Sequence, residues 1–193
     1  MPIQRAKPIR ADIPALTTAD LPAGSVLQVQ QGFSGTKTIT NTSVNGNAIE
    51  CPASVSITPS STSNKILILF HGTWSFGNGN DVAFWLLRNG TAIGTATRSS
   101  ENVAAFAMSH QHTYQDYYPC HISFNYLDTP ATTSAITYTI KGGGIQGTKG
   151  SGHANPTLAN SQNEEMTWGG SISTSSGESN IGNMVIIAQE IKG

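Results

Sequence analysis

From Ser25 to the C-terminus the chain reads as short apolar runs of period two, separated by polar turns. Successive side chains of a strand point to opposite faces, so this alternation marks half-buried strands. SVLQVQQ opens the series, with Val26 on one face and Leu27 and Val29 on the other. KTITNTSV follows, threonine-rich and alternating, and SVSITPSSTSN predicts a strand that ends at Pro59 and passes into a polar turn. KILILFHGTW is continuously apolar from Ile66 to Phe70, the pattern of a strand covered on both faces. DVAFWLLRNGTAIGTAT predicts a hairpin, because Asn89-Gly90 supplies the two positive-φ residues of a type I′ turn. VAAFAMSHQHTY is a further candidate strand. CHISFNYLD places Ile122, Phe124 and Tyr126 on one face, AITYTIKG does the same with Ile136, Tyr138 and Ile140, and NMVIIAQEI supplies the last strand.

Roughly eight to ten strands without a convincing helix predict an all-β domain over residues 25–193, an antiparallel sandwich or barrel-like jelly roll. Several strands are apolar on both faces: Leu67 and Leu69 behind Ile66 and Ile68; Ala83, Trp85 and Leu87 behind Val82, Phe84 and Leu86; Val185 and Ile187 behind Met184 and Ile186. A sandwich buries one face of each sheet. The second apolar face therefore predicts a cover, most economically a sister chain. Residues 142–180 break the pattern. They are glycine-rich and polar, and predict an exposed excursion, with a short strand only near MTWGGSIST.

Residues 1–24 form a separate region. Pro2, Pro8, Pro14 and Pro22 exclude helix and central strand, yet Ile3, Ile9, Ile13, Leu16 and Leu21 give it apolar points of contact. The expectation is an extended arm laid on another surface, able to reach at most ~80 Å. Arg5, Lys7 and Arg10 bias its first part positive.

Composition narrows the classes. Charged residues are only 11% of the 193, and the net charge is -1. A nucleic-acid binder would carry a basic excess. No apolar run reaches the ~20 residues of a membrane helix, and the basic MPIQRAKPIR is not followed by the apolar stretch of a secretory signal. Serine and threonine number 21 and 22, which suits strands and turns. Cys51 and Cys120 lie far apart and outside any CxxC pair, which leaves two buried thiols or a single disulfide.

The runs GSVLQVQQ, SVSITPSSTSNKILILF, FWLLRNGTAIG and ISFNYLDTPATTSAITYTIK, with a final short apolar strand, occur in this order. Together they resemble a jelly-roll domain frequent in bacteriophages, especially phages of marine and freshwater bacteria including cyanophages. In that family it is usually the C-terminal domain of fibre or other virion-surface proteins. The resemblance spans about Gly24 to Ile191 and departs in 142–180 and in SHQHTYQDYYPCH. It implies a tumour-necrosis-factor-like jelly roll assembling as a homotrimer at the virion surface. Two settings follow. One is a head decoration (cement) protein bound to the major capsid protein; the other is a tail-fibre receptor-binding protein attached to fibre or baseplate proteins. Only 24 residues precede the domain where a tail fibre carries a long shaft, and a short proline-rich arm suits clamping onto a shell, so decoration is the expectation.

Candidate chemistry is sparse. His110 and His112 share a strand face; were that strand to line a three-fold axis, three chains would offer an octahedral imidazole set for a transition metal, as His-x-His sites do in trimeric phage fibres. Beyond such a metal no cofactor is implied. A glycan site needs an aromatic platform with polar neighbours. Trp168 with Asn163, Glu164 and Glu165 is one candidate, and Trp74 with Asn78, Asn80 and Asp81 is another, beside the packing readings of Trp168 as a residue pinning a long loop and Trp74 as a strand-end core aromatic. No serine sits in a G-x-S-x-G elbow, Glu164 and Glu165 face opposite ways in a strand, and Gly142-Gly143-Gly144 lacks the GK[ST] of a phosphate loop. The expectation is a non-enzymatic protein.

Overall fold

The structure, a computed structural model, describes residues 17–35, 38–39, 48–76, 81–98, 103–110, 119–145, 166–169, 171–174, 177–180 and 182–193. These residues are almost all β. In chain order the strands are β1 (Val26–Ser34), β2 (Thr38–Ile39), β3 (Ile49–Ile57), β4 (Lys65–Phe76), β5 (Asp81–Arg88), β6 (Thr91–Ile93), β7 (Ala96–Arg98) and β8 (Val103–Ala105). They continue with β9 (Ala107–His110), β10 (Cys120–Asp128), β11 (Ile136–Ile145), β12 (Met166–Trp168), β13 (Ser171–Thr174), β14 (Gly177–Asn180) and β15 (Met184–Ile191). One 3-10 turn, Thr18–Asp20, precedes them.

Two antiparallel sheets form a sandwich. The first runs β1-β15-β4, with β10 on the far edge of β4. The long β4 serves three partners: Lys65–His71 pair β15, Trp74–Phe76 pair β12, and Ile66–Trp74 pair β10. The second runs β3-β11-β5, and the outer edge of β5 is shared by β6 and β9. The pairs β7-β8 and β13-β14 are separate two-stranded ribbons.

Period-two burial produces the core. Along β3, Ile49, Cys51, Ala53, Val55 and Ile57 are buried while the residues between them are exposed. They meet Ile136, Tyr138 and Ile140 of β11, Val82, Phe84 and Leu86 of β5, and, from the first sheet, Ile66, Ile68, Phe70, Met184 and Ile186. Trp168 joins its ring to Phe70 and Phe84 at 6.1 and 5.8 Å, and Trp74 meets Phe84 edge-on at 5.6 Å. Such pairs add about 0.5–1.5 kcal/mol each beyond the area they bury. Gly32 marks where the sheets come closest: a Cβ there would stand 1.8 Å from the Ser54 carbonyl oxygen, so only glycine lets β1 approach β3.

The hairpin forms as expected, with Asn89 at φ 49° and Gly90 at φ 81°. The inward sets of CHISFNYLD and AITYTIKG also hold. Four expectations change. A register shift between Val26 and Gln28 puts Val26 and Val29, opposed in the simple alternation, both in solvent. The strand before Pro59 starts earlier, at Ile49, and tolerates Pro52 because β3 is an edge strand. The candidate strand VAAFAMSH is broken at Phe106, whose amide donates to the Phe84 carbonyl. The 142–180 segment starts later than expected, because β11 continues through Gly142–Gly144 against β5; the short strand expected near MTWGGSIST forms as β12 and β13, and β12 buries Trp168 in the core. Of KTITNTSV only Thr38 and Ile39 lie within the described residues.

Candidate functional site

The two doubly apolar regions have different fates. On the second sheet Ala83, Trp85 and Leu87 are at most 1% exposed, so the chain itself covers them and no sister chain is needed there. The outer face of the first sheet is different. Val29 is 52% exposed, Phe33 60% and Leu127 47%. Between them Leu67, Leu69, Val185 and Ile187 are only half-buried. Register brings them together: Phe33 lies opposite Val185, Val185 opposite His71, Ile187 opposite Leu69, and Leu67 opposite Leu127. A shallow depression of about 250 Å³ sits in this face, bordered by Leu69, His71, Ser123, Asn125, Val185 and Ile187. Exposed apolar side chains gathered on one sheet face are the usual sign of an interaction surface.

One edge of the depression carries two imidazoles. His71 of β4 and His121 of β10 lie diagonally on neighbouring strands, ring centroids 5.7 Å apart and planes within 17°. His121 Nδ1 is hydrogen-bonded to Thr73 Oγ1 at 3.2 Å. His71 escaped attention in the sequence because the two histidines are 50 positions apart and only strand pairing joins them.

Two buried carboxylates stand inside the sandwich. Glu190 is 1% exposed. It accepts from Asn64 Nδ2 and Gln28 Nε2, both at 2.6 Å, and from the backbone N–H and hydroxyl of Ser60 at 2.6 and 2.8 Å. Burial pushes its carboxyl upward, but these donors outweigh that and hold it below the ordinary value. Asp128 receives Arg88 through both oxygens at 3.0 and 3.1 Å and the Tyr138 hydroxyl at 2.7 Å. Burial, then the bond to Asp128, drives the Tyr138 phenol far above its ordinary value. Both carboxylates are occupied by protein donors and act as clamps between strands and turns.

The root of the N-terminal arm is tied to the C-terminal end. Lys192 Nζ donates to the carbonyls of Ala19, at 3.0 Å, and Leu21. The Gly24 amide donates to the Lys192 carbonyl at 2.8 Å, and the Lys192 amide to the Ser25 carbonyl at 2.9 Å. Asp20 closes the turn by accepting from the Thr17 amide and hydroxyl at 2.8 and 2.7 Å. Leu21 is half-buried at this root; Arg5, Lys7, Ile9, Arg10, Ile13 and Leu16 lie outside the described residues.

The other sequence candidates fare unevenly. Trp168 is fully buried and its indole N–H donates to the Ile49 carbonyl at 3.1 Å, so it offers no ring face to a sugar. Trp74 is also fully buried, a core residue at the end of its strand segment. Both glycan platforms are thereby corrected: a Trp beside polar residues in a glycine-rich stretch signalled packing. Asn163, Glu164, Glu165, Asn78 and Asn80 lie outside the described residues. His110 ends β9 opposite Asp81, and His112 lies outside the described residues. Among the described residues no group of three or more His, Cys, Asp or Glu is gathered for a metal ion, and no helix is long and apolar enough to cross a membrane.

Cys51 and Cys120 are unpaired thiols. Burial pushes Cys51 up to about 12 and also raises Cys120, which is the less buried of the two. A thiol is reactive as thiolate. In native protein at pH 8, Cys51 is expected to resist a chromogenic disulfide reagent until denaturant is added, with Cys120 reacting first. Rapid native labelling of Cys51, read by peptide mass, would contradict its burial.

No protein-family model and no curated protein matches the chain.

Proposed function

We propose that the chain is a non-enzymatic virion structural protein of a bacteriophage: a jelly roll assembled as a homotrimer. It would decorate the outer capsid surface, with residues 1–24 gripping the major capsid protein. The strand order supports the jelly roll. Taking β6 and β9 as one interrupted strand, the main strands are eight in chain order: β1, β3, β4, β5, β6/β9, β10, β11 and β15. One sheet then reads first-eighth-third-sixth and the other second-seventh-fourth-fifth. That nested pairing of outermost with outermost supports a jelly-roll reading. The sequence runs that resemble phage virion-surface domains fall on these same strands.

The observation that carries the assembly is the exposed apolar face of β1, β15, β4 and β10. The partner preferred for it is a sister chain, as the family resemblance implies. The arm reading rests on its composition and on the root, where Lys192 fixes the point at which the chain leaves the domain. Arg5, Lys7 and Arg10 would meet acidic groups on the shell, and Ile9, Ile13 and Leu16 would seat in apolar notches or alongside an exposed strand. The tail-fibre alternative keeps the same fold, but both tryptophans assigned to its glycan contact are buried.

Deletion of residues 1–16 tests this and spares the Thr17–Gly24 root. The truncated chain is expected to keep its oligomeric state and melting temperature while losing attachment to virions in a sedimentation assay. Attachment equal to that of the full chain would overturn the arm. Counting copies per particle separates the settings: many copies indicate the head, a few the tail.

A further inference from the structure

We propose that His71 and His121 form a two-imidazole site for a borderline divalent transition-metal ion, of the zinc, copper or nickel class. The proposal stands on the geometry of one chain and not on the assembly described above. It is also separate from the His110/His112 pair.

Three features carry it. The first is reach. Imidazoles sharing one metal at ordinary metal–nitrogen distances have ring centroids roughly 5 Å apart. The observed 5.7 Å is close to this, and His71 is exposed, so its ring has room to turn about χ2. The second is orientation. When Thr73 Oγ1 accepts from Nδ1–H, the His121 tautomer is set and Nε2 carries the free lone pair. Thr73 is itself 2% exposed, so this second partner is held by packing. The third is charge. The described residues beside the pair on β4, β10 and β15, among them Leu69, Ser123, Asn125, Val185 and Ile187, are neutral. Among the described residues of this face the one cation is Lys65, at the far end of β4.

Imidazole suits these metals, whereas the absence of carboxylate from the pair disfavours magnesium and calcium. Two protein ligands leave the remaining positions to water in the single chain, or to groups of a sister chain where one covers this face.

The test uses the full chain without a histidine tag, stripped with chelator. Zinc and copper salts are titrated separately by calorimetry in a non-coordinating buffer at pH 7.5. One ion per chain is expected, with copper tighter than zinc by the general affinity order. His71→Ala and His121→Ala should each weaken binding at least roughly tenfold, and Thr73→Val by less. His110→Ala and His112→Ala should leave it unchanged. Circular dichroism of each variant confirms that the fold is kept. No binding to the parent chain would overturn the site. So would binding that survives in both His71→Ala and His121→Ala, or that disappears only with His110 and His112.

Discussion

A chain carrying Phe33→Asp and Ile187→Asp is expected to elute as a folded monomer, and the parent as the proposed trimer. Phe33 is 60% exposed and Ile187 half-buried in the single chain, both on the outer face of the first sheet. Their replacement therefore removes little from the sandwich core, and circular dichroism should not change. The assembly is affected far more. A stable interface buries on the order of 1,000 Å² or more. An unpaired carboxylate placed inside it costs several kcal/mol, and the proposed three-fold symmetry would repeat each substitution in every chain. The reading is made by light scattering coupled to size exclusion. A trimeric double variant would place the interface elsewhere. A parent chain that is monomeric at micromolar concentration would remove the assembly reading altogether. Trp85→Ala serves as the contrast. Its ring is 1% exposed and covered within the chain, so its loss should lower the melting temperature and leave the oligomeric state alone.

The contrast between Phe33 and Trp85 shows where pattern reading stopped. The alternation along β5 and β4 is equally apolar on both faces, so sequence marks both as needing cover. It cannot say whether the cover comes from the same chain, because that depends on where distant segments run. The inner faces were legible for the opposite reason: Ile122, Phe124 and Tyr126, or Ile136, Tyr138 and Ile140, obey a strict period that only one sheet face satisfies. Asn89-Gly90 was legible because its backbone demand is local. The short strand at Trp168 was legible, but three residues carry no period to say which side chain is buried, so its ring read equally as a glycan platform. The His71/His121 pair was invisible for a related cause, since register alone makes it. The two runs most specific to the resemblance have a structural basis. SITPSSTSN contains Ser60 and Asn64, which hold Glu190; LDTPATTSAITYTI contains Asp128 and Tyr138. Their wording reflects clamps that close the sandwich, so they report on fold and are silent on what the surface binds.

Glu190→Ala is expected to lower stability at neutral pH by about 3–5 kcal/mol, because it strands the buried Asn64 amide and the Ser60 N–H at about 1–3 kcal/mol each and frees Gln28. For a chain of this length that is a fall in melting temperature of roughly 10 °C. The pH dependence identifies the cause. The donors hold the Glu190 carboxyl below its ordinary value of 4.5, so the folded state favours the ionised form. The stabilisation is then fully present above about 4.5 and is lost as pH falls through the lower folded-state value. Melting temperatures measured from pH 7 to pH 3 should show parent and variant converging only below pH about 4.5. The Asp20 carboxyl, held low chiefly by the Thr17 hydroxyl, titrates in both chains and cancels in the difference. A gap that stays constant to pH 3 would mean that the ionised carboxylate is not what joins the 58–64 turn to the last strand. Loss of packing would then be the cause. Glu190→Gln separates these readings further. It preserves volume and can keep its oxygen where Glu190 Oε1 accepts from Ser60 and Asn64, turning its N–H₂ only toward Gln28, so it should cost less than alanine at pH 7, and its gap to the parent should still close in acid.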